Sequence, residues 1–589
     1  MIKHLQKLTL QIATVIVYGL FCAISLYLFL LSIFTTCFMA YTDEHVYYLG
    51  EVTILMCIGL VALCVFLSFM QKLKLRKQLE LSEAERENQD IGILKTIGIL
   101  LTIALGTGLI IFIVYMDLAP IHDQAMIYNS AHQLLQGDYT QWTYKEYFSM
   151  LPYQNGMVLM MCPFVWAFGD GALIAFQIFN VFMLFIAYIG ISKIAGVYFG
   201  KKTMYLTYIA LLMIIPVWTL VTYVYGMISA VCLAIWAIYF EIRFEQTQKW
   251  RDILIAGVLL FFSIMWKSNS QIFAIVISLM LLVHFIREKS WKSLVGIGFI
   301  VLCTMVQIKG IPIVMHYITG EDTTNGIPMI AWLAMGLQES SIAPGWFNAF
   351  PMNIYQDIST NQEIIKKEVY DSFRASFELF SQEKAYACRF FARKLASVWA
   401  DPAFQFFTTV NTRDFEYRFP YVLKDFFYNG GVMNTIMYLL LNVLQSIHYF
   451  GLMLFIMMKR KELTLKKAHL IVAILGGFLF HFIGEVKTHY VLSYYIMMIP
   501  YIVEGYRAVV CKLANVAWRD KTEYRRLWNT MPVKMGMGLG VLILIIMVAK
   551  GPVVENTLKL GTDTQDYIWY CTNELQWQDD DYYKGKPKE

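Results

Sequence analysis

Apolar residues in this chain fall into long uninterrupted runs separated by short polar or basic stretches, without the one-sided spacing of helices that rest on a water-soluble core. Runs of this length predict membrane-crossing helices. The first, residues 10–39, is too long for a cleaved signal core and lacks a small-residue cleavage site, so it reads as a retained helix. A short loop at 41–48 leads to a second helix over 52–70. Residues 71–90 then carry Lys72, Lys74, Arg76 and Lys77, followed by Glu80, Glu83, Glu85 and Glu87. The basic half abuts the membrane, which places it on the cytoplasmic side, and the charges have the spacing of a solvated helical spacer.

The third helix, over 93–115, therefore travels outward. Later loops alternate in charge as the positive-inside rule requires: basic turns at 243–251, 287–292, 459–467 and 507–534 face the cytoplasm, and turns at 222–226, 267–271 and 484–488 face outside. Residues 157–168 are apolar but too short to span, and read as a helix at the membrane boundary before a span over 172–197. Hydropathy drops over 310–428, where a helical stretch at 361–396 predicts an external α-rich domain. The expectation is an all-α polytopic membrane protein with about 13 spans, its N-terminus cytoplasmic and its C-terminus external. Its parts are a hairpin and linker (1–94), a core with a first external loop at 116–171 (95–309), the external domain (310–428), C-terminal helices (429–549) and an external tail (550–589).

Composition sharpens this. The 589 residues are 58% hydrophobic and 15% charged, with a mean hydropathy of +0.53, which excludes a water-soluble domain. A net charge of +5, spread in clusters beside apolar runs, is not a nucleic-acid surface. Of the ten cysteines, most sit inside apolar runs, and none has zinc or redox spacing. Cys388 and Cys571 both fall in segments read as external, which leaves a disulfide between them open. Phosphate-cradling glycine loops, His-Glu-x-x-His and Gly-x-Ser-x-Gly are all missing from the chain, so any chemistry must come from polar residues at a membrane face.

Those residues gather in the loop that opens with Asp117, Pro120, His122, Asp123 and Gln124 and closes with Pro152-Tyr153-Gln154-Asn155-Gly156. Asp123-Gln124, then Tyr128, Ala131, Leu135 and Gln136-Gly137-Asp138-Tyr139, resembles the first external loop of the GT-C superfamily of integral-membrane glycosyltransferases. The likeness is greatest to the bacterial protein O-mannosyltransferase and lipid A aminoarabinose transferase branch. There an Asp-Glu pair precedes Tyr, Ala and a Gly-Asp step; here Gln124 stands where the second carboxylate is expected. Residues 152–169, 335–348 and 484–490 look like further segments of that group. The resemblance implies a GT-C-type bundle with juxtamembrane helices that moves a sugar from a polyprenyl-phosphate donor to an envelope glycan, lipid or protein.

Such a reaction needs a base for the acceptor hydroxyl and cations for the departing phosphate. Asp123 is the expected base, with Asp117 as the alternate; the plain structural role of Asp123 would be to cap a helix beginning at Ala125. Lys267, Lys487, His489 and Lys309 are the candidate phosphate partners, and His122, Gln124, Gln154, Asn155 and Glu485 the candidate sugar or acceptor contacts. No cofactor is called for. A divalent ion held by Asp117, His122 and Asp123 is not favoured, because Gln124 removes one ligand and the resembling branch does not generally rely on a metal. The rival reading is a lipid or sugar transporter or flippase, which predicts paired interrupted helices and charges near the bilayer midplane; a non-catalytic binding protein is a third.

Overall fold

The computed structural model describes residues 2–40, 45–77, 81–413, 419–515 and 530–572. In chain order its elements are α1 (Ile2–Phe34), β1 (Thr35–Met39), β2 (Val46–Gly50), α2 (Thr53–Lys77), α3 (Glu83–Met116), α4 (His122–Gln136), α5 (Tyr147–Met150), α6 (Asn155–Phe168) and α7 (Ala172–Phe199). Then come α8 (Lys201–Leu212), α9 (Met227–Thr247), α10 (Trp250–Trp266), α11 (Gln271–Glu288) and α12 (Trp291–Thr319). The layer that follows holds α13 (Ile330–Met335), α14 (Phe350–Asn353), α15 (Gln362–Gln382), α16 (Lys384–Trp399), α17 (Thr408–Asn411) and α18 (Tyr421–Phe427). The chain closes with α19 (Val432–Lys459), α20 (His469–Ile483), α21 (Thr488–Ala514) and α22 (Met531–Ala549).

Among the described residues nine helices are long and apolar enough to cross a membrane, ten if α8 and the bent segment Ile215–Thr222 form one span. The protein is a multi-pass membrane protein, but this count stands below the expected 13 or so. The shortfall has a simple origin. Helix α10 has 17 residues and α20 has 15, while α21 interrupts its apolar sequence with Pro500, Glu504 and several tyrosines. Helix α21 is packed inside the bundle, while α10 and α20 contact neighbouring helices on one face and expose Leu254, Val258, Phe262, Leu479 and Ile483 on the other.

Two local corrections concern elements. The first helix stops at Phe34, and residues read as helix and loop instead pair as an antiparallel hairpin, Thr35–Met39 against Val46–Gly50. Threonine, valine and tyrosine favour strands, and the hairpin finds partners for its outward groups: Cys37 N donates to Ala400 O at 2.8 Å and Val46 N to Ile342 O at 3.2 Å. Second, α12 continues through Thr319, so Lys309 lies within a helix rather than at its end. Cys388 is an exposed free thiol, so the disulfide with Cys571 left open above is not formed. Of the basic segment 507–534, residues 516–529 lie outside the described residues, as do residues 573–589 of the tail.

Apolar character runs through residues 152–199, yet the chain reverses within it. Phe164 in α6 stacks within 5.3 Å of Phe176 and 5.2 Å of Phe179 in α7, which a straight helix would hold about 18 to 22 Å away. Gly169 makes the reversal, with a φ of 51°. Helix α6 therefore folds back on α7 and α4. The start of α7, the start of α9, the end of α10 and the turn between α20 and α21 meet at one end of the bundle, and the 320–428 layer covers that end.

Candidate active site

Helix α3 delivers the loop to this end and terminates at Asp117, whose backbone is left-handed with a φ of 42°. Asp117 is exposed, and no hydrogen bond or ion pair ties it to the residues that follow. Helix α4 then starts at His122, one turn earlier than expected. Its N-cap is Ile121, with no side-chain cap, so Asp123 does not cap the helix. It points into the protein instead. The Tyr147 hydroxyl donates to Asp123 Oδ1 at 2.8 Å and the Tyr225 hydroxyl to Oδ2 at 3.0 Å.

The two tyrosines are themselves fixed. Gln154 Nε2 donates to the Tyr225 oxygen at 2.5 Å and reaches the Tyr147 oxygen at 3.5 Å. Burial, reinforced by the Asp123 charge, pushes both phenols well above their ordinary pKa, so each keeps its proton and remains a donor. Tyr225 lies in the turn before α9, held by Gln124 Oε1, which accepts from Val224 N at 2.9 Å, and by Arg413 Nη1 and Gln177 Nε2, which donate to Thr222 O at 3.0 and 3.1 Å. Gly226 ends the turn with a φ of 67°, and a Cβ there would lie 2.5 Å from Trp266 O. Only glycine lets α9 start this close to the end of α10.

The end of α10 is where Lys267 stands. Its ammonium lies 3.4 Å from the centre of the Tyr225 ring and 5.6 Å from that of Tyr490. Burial lowers its pKa to about 7, against the opposing pull of Asp123 and Glu485. Glu485 is raised to about 7 by burial, with the Lys487 and Lys267 charges opposing and Asp123 adding to the rise. Asp123, Lys267, Glu485 and Lys487 thus share one electrostatic neighbourhood, assembled from the first loop, the α10 end and the α20–α21 turn.

That turn is clamped. Lys394 of α16, fully buried, donates to Gly336 O at 2.5 Å, Gly484 O at 2.8 Å and Ile483 O at 3.1 Å. Glu485 N donates to Trp332 O at 3.1 Å, and Val486 N to Gly345 O at 3.0 Å. The backbones of Gly336 and Gly484 touch so closely that a Cβ on Gly336 would fall 2.1 Å from Gly484 C. Behind Lys267 lies a 40 Å³ cavity lined by Asn269, Ser270, His481, Tyr490 and Ser493, among others. An apolar groove of about 490 Å³ opens between α11 and α12, starting at Gln271.

The eleven residues singled out from the sequence therefore separate. Asp123, Lys267, Lys487 and Glu485 come together, with Gln154 behind the tyrosines. Gln124 holds the Val224 backbone and Asn155 accepts from Trp142 Nε1 at 2.7 Å, so both brace the loop. His489 is buried against Gln405 Oε1 and the Tyr223 and Tyr490 rings, beside the Lys267 and Lys487 charges. Asp117 and His122 are exposed, and Lys309 faces outward from α12. Asp117, His122 and Asp123 do not converge as a metal-ligand set. Sequence reading singled out none of Tyr147, Tyr225 and Lys394 as part of the site. Nothing local marks a tyrosine as a partner of a carboxylate 102 positions away.

No protein-family model, no curated protein and no solved structure matches this chain.

Proposed function

We propose that the protein transfers a sugar from a polyprenyl-phosphate donor to a cell-envelope acceptor at the outer face of the membrane, in a bundle of GT-C type with Asp123 as general base. The observation that carries this reading is Asp123 itself, a carboxylate aimed inward by two buried hydroxyls, with Lys267 and Lys487 in its electrostatic field. Two of its four lone-pair positions are used by the tyrosines, and the others remain for an acceptor hydroxyl.

In the reaction the acceptor oxygen bonds to the anomeric carbon, the bond from that carbon to the phosphate oxygen breaks, and the hydroxyl proton passes to Asp123. The phosphate leaves with an added negative charge, which Lys267 and Lys487 stabilise. Because the donor carries its own leaving group, nucleotide-binding machinery is unnecessary. The groove beginning at Gln271, four residues past Lys267, gives a lipid tail an apolar path beside the phosphate site. Clustering of the charges at one end of the bundle favours surface chemistry over passage through the midplane.

The test uses purified protein in lipid nanodiscs with radiolabelled polyprenyl-phosphate sugars and an envelope acceptor fraction, beside an Asp123→Asn variant of equal thermal stability. Release of free polyprenyl phosphate by the wild type alone supports the reading. Consumption of no donor by either protein, across a panel of sugars, defeats it and turns attention to lipid flipping.

A further inference from the structure

At the other end of the bundle, α9 places Glu241 and Glu245 one turn apart on one face, toward the first residue of α20, His469, and toward Arg287 in the last turn of α11. The group is dry: the side chains of Glu241 and His469 are 0% and 1% exposed, and that of Glu245 7%. His469 Nε2 lies 3.1 Å from Glu241 Oε2 and 3.6 Å from Glu245 Oε1, yet none of these atoms makes a hydrogen bond. Both oxygens of the fully buried Glu241 lack a hydrogen-bond partner altogether. Arg287 answers the charge of Glu245, but a dry carboxylate with no hydrogen-bond donor is costly, and something must meet Glu241.

We propose that Glu241, Glu245 and His469 bind one divalent transition-metal ion. Metal–nitrogen and metal–oxygen bonds of about 2.0 to 2.2 Å at tetrahedral angles put ligand atoms about 3.3 to 3.6 Å apart. The observed separations bracket that figure, and all three ligand atoms lie within 4.8 Å of one another. The surroundings fit as well. His469 Nδ1 is 2.8 Å from the Tyr198 hydroxyl, which fixes the ring and leaves Nε2 as the ligand. Arg287 Nη2 pairs with Glu245 Oε2 at 2.9 Å, leaving Oε1 for the ion. One imidazole with two carboxylates suits zinc, manganese, iron or cobalt better than magnesium or calcium. The ion would tie α9 to α20 far from Asp123 and take no part in the transfer step.

The competing occupant of the gap is a proton on His469, which would make an imidazolium between two carboxylates. The experiment is metal analysis of the full-length protein in detergent, stripped with EDTA and then titrated with Co²⁺ and Zn²⁺. One equivalent per chain, visible absorption bands from bound cobalt, a raised melting temperature, and loss of the equivalent in Glu241→Gln and His469→Asn are expected. Tyr198→Phe, which keeps every ligand, should bind about 10- to 100-fold more weakly. Failure of the stripped wild type to take up either ion at micromolar concentration overturns the site in favour of the imidazolium. Undiminished binding by Glu241→Gln also overturns it, by placing the ion elsewhere. If neither ligand variant folds, the cobalt spectrum of the wild type and the Tyr198→Phe affinity decide.

Discussion

The ammonium of Lys267 sits 3.4 Å from the centre of the Tyr225 ring, and the hydroxyl of that ring donates to Asp123 Oδ2 at 3.0 Å. One phenol therefore serves both charges: its face attracts the cation, and its edge holds the carboxylate. Lys267 meets the face of this ring, while the Asp123 oxygens accept from the Tyr147 and Tyr225 hydroxyls. On the proposed function, a direct pair of the two would neutralise the base and occupy the cation before any substrate arrived.

Tyr225 should thus be separable into two functions. Tyr225→Phe keeps the ring under Lys267 and removes one hydrogen bond to a charged group, a loss of about 1.5 kcal/mol or more that corresponds to about a tenfold fall in turnover. Tyr225→Leu removes the ring as well and should also raise the KM for donor. Steady-state kinetics on both variants check this; equal KM values for the two would remove the ring from donor binding.

Asp123→Asn should lower transfer by about 100-fold or more, the range of a lost general base, with little change in thermal stability, because the amide oxygen still accepts from a tyrosine. Asp117→Asn and Lys309→Ala, at exposed positions outside the cluster, should stay within about twofold of wild type. A collapse of activity in Asp117→Asn with Asp123→Asn active would transfer the base to Asp117.

Transfer should also weaken as pH rises through about 7. Over that range Lys267 loses its charge and Glu485 gains one, and both changes disfavour a bound phosphate. In kcat/KM for donor, which reports the free enzyme, the fall should flatten in Lys267→Met. Stability behaves differently. The raised Glu485 binds more protons folded than unfolded between about 4.5 and 7, so its contribution falls with pH there; the depressed Lys267 binds fewer between about 7 and 10.5, so its contribution rises there. Together they place a minimum near pH 7, which thermal melts of the two single variants should each alter on one side only.

Lys394→Met leaves three carbonyls, two of them buried, without their donor and should cost about 3 kcal/mol of stability, read as a lower melting temperature. Gly336→Ala drives a Cβ into Gly484 and should displace the turn that carries Glu485 and Lys487. Its expected signature is a KM for donor raised more than kcat is lowered. Wild-type KM in a folded Gly336→Ala protein would show that the turn does not touch the donor.

Hydrophobic run length alone exposed the membrane class, because a bilayer demands long helices wherever the chain crosses it. It also placed the short helix before α7 and the helical stretch that became α15 and α16. It read α10, α20 and α21 as spans, although α10 and α20 are short and α21 carries Pro500 and Glu504 within its apolar sequence. The hairpin at 35–50 escaped because its strands continue an apolar run, and a run does not by itself show where a helix stops.

By itself, then, the sequence determined that this chain is helical and multi-pass, and it marked Asp123, Lys267, Glu485 and Lys487 as charged residues at the edges of apolar runs. Such positions are costly to keep charged, and that cost is legible in one dimension. Only the tertiary structure decided that these four meet while Asp117, His122 and Lys309 stay outside. It alone brought Tyr225 to Asp123 across 102 positions, Lys394 to Gly336 across 58, and His469 to the two glutamates of α9. Hydrogen bonds and ion pairs depend on where helix ends are packed, and packing is a property of the whole bundle that no stretch of residues carries alone.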